Sequence, residues 1–260
     1  MTARTDPALL RLAGIGKHFG GLAALTDVSL HITQGEIYGL IGPNGAGKTT
    51  LFNILTGLYQ LDEGSFTFQG VTYTSSKPHL LAQAGIARTF QNIRLFSNMS
   101  ALENIMVGRH VRTQTGLWGA LTRNAAARAE EKAVGERAFE LLRYVGINRH
   151  SHTLAKNLSY GEQRRLEIAR ALATDPTLLA LDEPAAGMNA TETSSLKILL
   201  QKIRASGITI LLIEHDVKLI MDLCDRVAVL NYGEKIAEDI PREILLNPDV
   251  ITAYLGGSAA

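Results

Sequence analysis

Gly42, Gly45, Gly47, Lys48 and Thr49 stand in the order Gly-Pro-Asn-Gly-Ala-Gly-Lys-Thr-Thr from Gly42 to Thr50. A Gly, four residues and then Gly-Lys-Thr is a phosphate-loop pattern. Glycines let the backbone curl until successive N–H groups point inward and make a nest for phosphate oxygens. Pro43, Asn44 and Ala46 complete the curl, and Thr50 closes the motif. At this spacing Lys48 reaches β- and γ-phosphates and the Thr49 hydroxyl holds Mg²⁺. The pattern predicts binding of a nucleoside triphosphate.

A second stretch supplies carboxylates. Leu178-Leu179-Ala180-Leu181 is an apolar run that ends in Asp182 and Glu183. A buried strand delivers Asp182 beside the phosphate loop, where it holds Mg²⁺, often through water. Glu183, one residue further, is placed to orient or deprotonate an attacking water. Alone, such a pair reads as a solvated strand end; beside a phosphate loop it reads as catalytic. A third stretch, Leu158-Ser159-Tyr160-Gly161-Glu162-Gln163-Arg164-Arg165, opens a helix, with Ser159 as cap and Gly161 allowing close backbone approach. Free N–H groups at a helix start attract an anion such as a γ-phosphate. A plain capped helix accounts for the same residues equally well.

The elements that must position these groups are legible in the apolar pattern. Glu36 to Ile41 is the strand feeding the phosphate loop, and Leu51 to Thr56 the helix after it, its positive end toward the anion. Leu9–Ile15, Val28–Ile32, Ser65–Gln69 and Ile86–Phe90 read as strands, and Pro78–Ala84 as a short helix closed by Gly85. Ser100-Ala101-Leu102-Glu103 is a capping box. A looser stretch from Gly108 to Asn124 precedes a helix with Val134, Ala138, Leu141, Leu142 and Val145 on one face, ending at Gly146. This middle section predicts an all-α lobe inserted into an α/β core; ordinary crossover helices are the alternative. The α/β rhythm then resumes. Helices at Glu162–Ala173 and Ser194–Ala205 alternate with strands at Leu178–Leu181 and Ile208–Ile213. Asn231-Tyr232-Gly233 reads as a hairpin turn, Pro241 and Pro248 mark short helices, and Gly256–Ala260 reads as a frayed tail.

Bulk composition bounds the rest. The 260 residues hold 26 Lys plus Arg against 25 Asp plus Glu, a net charge of +1, so no whole-molecule field draws nucleic acid or acidic lipid. One cysteine, Cys224, forms no internal disulfide and suits a reducing compartment. Arg4, Asp6 and Arg11 interrupt the N-terminal region, which lacks the apolar core of a secretory signal. No apolar run approaches the ~20 residues needed to span a bilayer, so any membrane role is expected to come through a partner.

Taken together, Gly42–Thr49, Gln91, Leu158–Gln163, Leu178–Glu183 and His215 resemble an ATP-binding cassette ATPase over essentially the whole chain. The resemblance implies a P-loop NTPase α/β core, with a RecA-like sheet and an antiparallel β subdomain, formed by residues 1–91 and 159–240. It implies an all-α subdomain at 92–158 facing a permease, and a C-terminal extension at 241–260. By the same resemblance Phe19 stacks on adenine, and Gln91 touches Mg²⁺ and the lytic water. Ser159 and Gly161 bind the γ-phosphate held by an opposing subunit, and His215 contacts that γ-phosphate. From the residues alone, Phe19 reads as a core aromatic, Gln91 as a loop amide and His215 as a strand-end histidine.

Two departures matter. Tyr160 and Glu162 replace the third and fifth residues of the usual Leu-Ser-Gly-Gly-Gln signature, and Asn189 stands where an aspartate usually follows the catalytic glutamate. With Ile86–Asn92, Ile93–Phe96 and Ala185–Asn189, these residues are similar to one ATPase subunit of bacterial branched-chain amino acid importers. That resemblance implies ATP and Mg²⁺, a second ATPase subunit, two membrane permeases, a periplasmic binding protein acting indirectly, and a place at the cytoplasmic face of the inner membrane. Importers of urea, amides or aromatic acids are alternatives. So are soluble cassette ATPases of DNA repair or translation, though the short Gln91–Leu158 interval, single cassette and balanced charge run against them. A non-enzymatic nucleotide binder is a third option, opposed by the intact Glu183.

Overall fold

Residues 8–113 and 125–255 are described in a computed structural model of the chain. Its strands are β1 (Ala8–Phe19), β2 (Leu22–Thr33), β3 (Ile37–Ile41), β4 (Glu63–Phe68), β5 (Val71–Tyr73), β6 (Ile86–Arg88), β7 (Leu178–Asp182), β8 (Thr209–Ile213), β9 (Arg226–Asn231) and β10 (Glu234–Asp239). An antiparallel sheet runs β2-β1-β4-β5, and a larger sheet runs β10-β9-β3-β8-β7-β6. Every described pair of the larger sheet is parallel except β9 with β10. The helices are α1 (Lys48–Leu55), α2 (Pro78–Ala84), α3 (Ala101–Arg109), α4 (Ala125–Tyr144), α5 (Tyr160–Leu172), α6 (Ala190–Ala205), α7 (Val217–Leu223), α8 (Pro241–Leu246) and α9 (Pro248–Leu255).

Alternation along the buried strands sorts side chains to two faces. Leu179, Leu181, Ile210 and Leu212 pack into one core, while Leu178, Ala180, Leu211 and Ile213 pack into the other with Leu51 and Phe52 of α1. Each fully buried Leu or Ile contributes about 1.5–3 kcal/mol. The same period sends Asp182 to the face that α1 covers. Strand alternation therefore delivers the acid to the side of the phosphate loop.

Helices α3, α4 and α5 lie in the connection between the parallel neighbours β6 and β7. Ser100 makes the expected capping box with Glu103. On α4, Ala138, Leu141 and Leu142 are buried, with Val145 beyond its end, while Val134 is half-buried; Gly146 closes the helix at φ 82°. Ala138, Leu141, Leu142 and Val145 share one core with Leu166 and Ile168 of α5 and with Leu179 of the sheet.

Several expectations are corrected. Gly108 lies inside α3, where a Cβ would stand 2.4 Å from the Arg170 carbonyl oxygen, so this glycine marks close helix packing and not a loop. The helix runs to Arg109 and a 3₁₀ turn follows to Arg112; residues 114–124 lie outside the described residues, as do Arg4, Asp6 and Gly256–Ala260. Strands β1 and β2 run longer than their alternation suggests, because bulges between Leu12 and Lys17 interrupt the period. Strand β6 stops at Arg88, with Phe90 outside it. Strand β5 and helix α7, with three and seven residues, carry too little periodicity to be read. The hairpin turn is present: Tyr232 and Gly233 both take positive φ, 45° and 84°, as a two-residue type I′ loop requires. Among the described residues no helix is long and apolar enough to cross a membrane.

Candidate active site

The phosphate loop leaves β3 and enters α1 at Lys48. Gly42, Gly45 and Gly47 have φ of 149°, 78° and 99°. A Cβ on Gly42 would lie 2.1 Å from the Leu230 carbonyl oxygen, and one on Gly47 2.7 Å from that of Ala24. The β9–β10 hairpin pins the loop from outside, since Gly233 N–H donates to the Ala46 carbonyl at 3.1 Å and Thr26 N–H to that of Gly233 at 2.9 Å. Lys48 is buried, and its Nζ donates to the carbonyls of Gly42 and Pro43 at 2.7 and 2.9 Å. Burial pulls the ammonium below the ordinary lysine pKa, against the opposing pull of Glu183 and Asp182. Asn44, Gly45 and Thr49 face solvent at the mouth of the curl.

Across β8 from β3, strand β7 ends in the carboxylates. Asp182 is buried; desolvation raises its pKa, against Arg88, Arg164 and Lys48, while Glu183 adds to the rise. Glu183 sits at φ 46°, a conformation that a non-glycine residue adopts at a cost of about 1–3 kcal/mol. Its backbone is fixed by an N–H bond to the Ile213 carbonyl at 2.9 Å. Gln91 Nε2 donates to Glu183 Oε2 at 2.7 Å, and His215 Nε2 lies 2.7 Å from Glu183 Oε1. Two residues from separate loops thus meet on the carboxylate of a third.

Gln91, Glu183 and His215 line a cleft of about 850 Å³ with Phe19 and the residues from Asn44 to Thr50, while Asp182 is buried behind that lining. Phe19 is 43% exposed and meets the edge of Tyr59 with ring centroids 5.3 Å apart, so it is a rim aromatic and not a core one. Ser159 and Gly161 do not line the cleft. Ser159 caps α5, and Gly161 packs against Glu192, whose Oε1 would lie 3.0 Å from an added Cβ. Asn189 caps α6, its Oδ1 accepting from the N–H groups of Thr191 and Glu192 at 3.0 Å each. The missing charge at this position leaves a working helix cap.

Several supporting residues went unread. Glu214 is buried, and its oxygens accept from the N–H groups of Ala185 at 2.8 Å and His215 at 3.2 Å, clamping the loop after Glu183 to the strand end before His215. Arg164 is fully buried against Glu167 at 2.8 Å and donates to the carbonyls of Phe90 and Gln91. Tyr232, 85% exposed, stands at the cleft rim. Glu214 follows an apolar strand as Asp182 does, which is a signal in the sequence; Tyr232 reads there only as a hairpin-turn residue, and nothing local marks the role of Arg164.

A parallel sheet with a phosphate loop after one strand and paired acids after another defines a P-loop nucleoside triphosphatase. Comparison with known proteins narrows the class. The ABC transporter family matches residues 25–186, and the family described as branched-chain amino acid ATP-binding cassette transporter matches residues 234–260. The high-affinity branched-chain amino acid transport ATP-binding protein LivG of Salmonella typhimurium (strain LT2) is 46% identical over 249 residues, covering 95% of this chain and 98% of LivG. The crystal structure of the ADP conformation of MJ1267, an ATP-binding cassette of an ABC transporter, superposes with a TM-score of 0.84 at 33% identity, covering 96% and 99% of the two chains. The dimeric post-hydrolysis state of the cassette MJ0796, bound to ADP and Pi, gives 0.76 at 26% identity, covering 90% and 99%. The chain belongs to the ABC transporter family of ATP-binding cassettes and is an ATPase. The expected α/β P-loop fold is the one observed.

Proposed function

We propose that this chain is the ATP-hydrolysing subunit of an importer of branched-chain amino acids, working at the cytoplasmic face of the membrane. The meeting of Gln91 and His215 on Glu183, beside the phosphate loop, carries the reading. Phe19 receives the adenine at the rim. The nest from Gly42 to Thr50 holds the phosphates, with Lys48 shifting from its loop carbonyls to the β- and γ-oxygens. Thr49, Asp182 and Gln91 offer oxygen donors of the hard type that suits Mg²⁺, and a buried carboxylate with a raised pKa gains from a cation beside it. When bound, that ion offsets charge on the phosphate oxygens.

Glu183 takes a proton from the attacking water as its oxygen bonds to the γ-phosphorus and the bridging bond to the β-phosphate breaks, leaving ADP and inorganic phosphate. Gln91 and His215 hold the carboxylate in aim. Ser159 and Gly161 lie outside this cleft, so they serve the γ-phosphate of a second cassette, and the working unit is at least a dimer. Closing over ATP and opening after hydrolysis supply the stroke.

Residues 92–158 form the lobe that meets the permease pair, residues 1–91 and 159–240 the nucleotide-binding core, and residues 241–260 the extension. Leu58, Phe90, Phe96, Val107 and Val111 line a groove of about 330 Å³ between lobe and core, suited to an apolar permease segment. A periplasmic binding protein feeds the permeases. In a strain lacking this chain, uptake of labelled leucine, isoleucine and valine is restored by the natural protein and not by Glu183→Gln. Uptake unaffected by the deletion overturns the cargo; turnover unchanged in Glu183→Gln overturns the mechanism.

A further inference from the structure

The signature helix presents an electrostatic problem. Glu162 uses Oε2 to accept from both the backbone N–H and the hydroxyl of Ser159, at 3.0 and 2.8 Å. Burial works against the ionised form, yet the bonds from Ser159 and the charges of His150 and Arg149 outweigh it, holding the carboxyl below the ordinary glutamate range. Glu162 is therefore an anion at neutral pH. It occupies the proton of the hydroxyl assigned above to a phosphate, and it repels that phosphate.

A compensating cluster lies on the 3₁₀ turn Asn148–His150, just beyond α4. His150 Nε2 stands 3.0 Å from Glu162 Oε1, and an Arg149 guanidinium nitrogen 3.7 Å from the same oxygen. Arg149 Nε also points at His150 Nε2 from 3.0 Å. One ring nitrogen cannot accept from Arg149 and donate to a carboxylate together. The anionic oxygen decides the matter: Nε2 carries the proton and donates to Glu162, and Arg149 acts through its charge. Arg149 is 80% exposed and well screened by water, so the half-buried His150 is the effective partner.

We propose that His150 is a positioning residue for the signature loop: it holds Oε1 of Glu162 and draws charge from it, so that the Ser159 hydroxyl can turn to an incoming phosphate. The proposal rests on the reading of Ser159 as a phosphate ligand. It also explains how a glutamate is tolerated where the related signature carries a neutral glutamine.

The test uses the full chain with His150→Ala, Glu162→Gln, the double variant and Ser159→Ala. Two readouts are taken, steady-state ATP hydrolysis and ATP-driven dimerisation followed by sedimentation in a Glu183→Gln background. His150→Ala is expected to raise KM and the ATP midpoint of dimerisation about fivefold, with kcat within about twofold. Removing the charge of Glu162 in the double variant is expected to return both to within about twofold of the natural protein. Should His150→Ala fold poorly, His150→Gln replaces the ring with an amide donor and is expected to shift KM in the same direction, about twofold. A KM unmoved by His150→Ala, or a defect that Glu162→Gln does not relieve, overturns the proposal. A midpoint unchanged in Ser159→Ala overturns instead the reading of the signature loop beneath it.

Discussion

Arg164 donates to the backbone carbonyl of Gln91 at 2.8 Å and to that of Phe90 at 2.7 Å. The helix that begins at the signature loop thereby holds the loop whose side chain reaches Glu183. Glu167 completes the clasp by accepting from the N–H groups of Phe90 at 3.3 Å and Arg94 at 3.2 Å. A rigid bridge of this kind makes movement of either loop felt by the other.

Breaking the bridge has a stability cost. Arg164→Met leaves Glu167 charged and buried, and the loss of one partner of a buried pair is expected to cost about 3–5 kcal/mol in urea unfolding. Replacing both, as Arg164→Met with Glu167→Leu, is expected to recover part of that stability while ATP turnover stays low, because Gln91 has lost its tether.

The glycines of the phosphate loop are expected to respond unequally. Gly42→Ala sets a Cβ against a backbone oxygen and is expected to yield little folded protein. Gly45 has open space around its Cβ position, so Gly45→Ala pays only for its φ of 78°, about 1–2 kcal/mol. Thermal melts and soluble yield separate the two.

Asp182 makes stability depend on pH in a defined direction. Its pKa is raised in the folded chain by burial, so protonation favours folding: the stability is present below the unfolded-state value and is lost as pH rises through the folded one. Asp182→Asn is therefore expected to be more stable than the natural protein at neutral pH in the presence of a chelator. The gap is expected to vanish near pH 3, below the unfolded-state value of 3.8, and to narrow when Mg²⁺ is added at pH 7, because only the natural protein gains. Urea titrations at the two pH values check the sign.

The groove between lobe and core gives a fourth outcome. Phe96 and Val107 are exposed there. Val107→Asp is expected to abolish co-purification with permeases from detergent-solubilised membranes while the isolated chain keeps its ATPase activity. Retained co-purification removes the groove from that role.

What the sequence made legible follows from how local the physics is. The phosphate loop and the strand ending in Asp182 and Glu183 are contiguous, so spacing alone carried them. Strand alternation even set the face on which Asp182 emerges. Gln91, His215 and Phe19 were legible only through resemblance, since two come from separate loops and one from the end of β1, and each reads blandly in its own segment. Arg164 stayed hidden because its partners, Phe90 and Gln91, are over 70 residues away. Gly108 misled because a glycine for close packing and a glycine for a turn look alike in sequence.

Calorimetry with ATP and Mg²⁺ tests the central claim, that the curl around Lys48 grips the triphosphate. The natural chain is expected to bind about one ATP, and Lys48→Ala to lose at least about a hundredfold in affinity, the loss of charged hydrogen bonds to phosphate. An affinity unchanged by Lys48→Ala would contradict the account at its root.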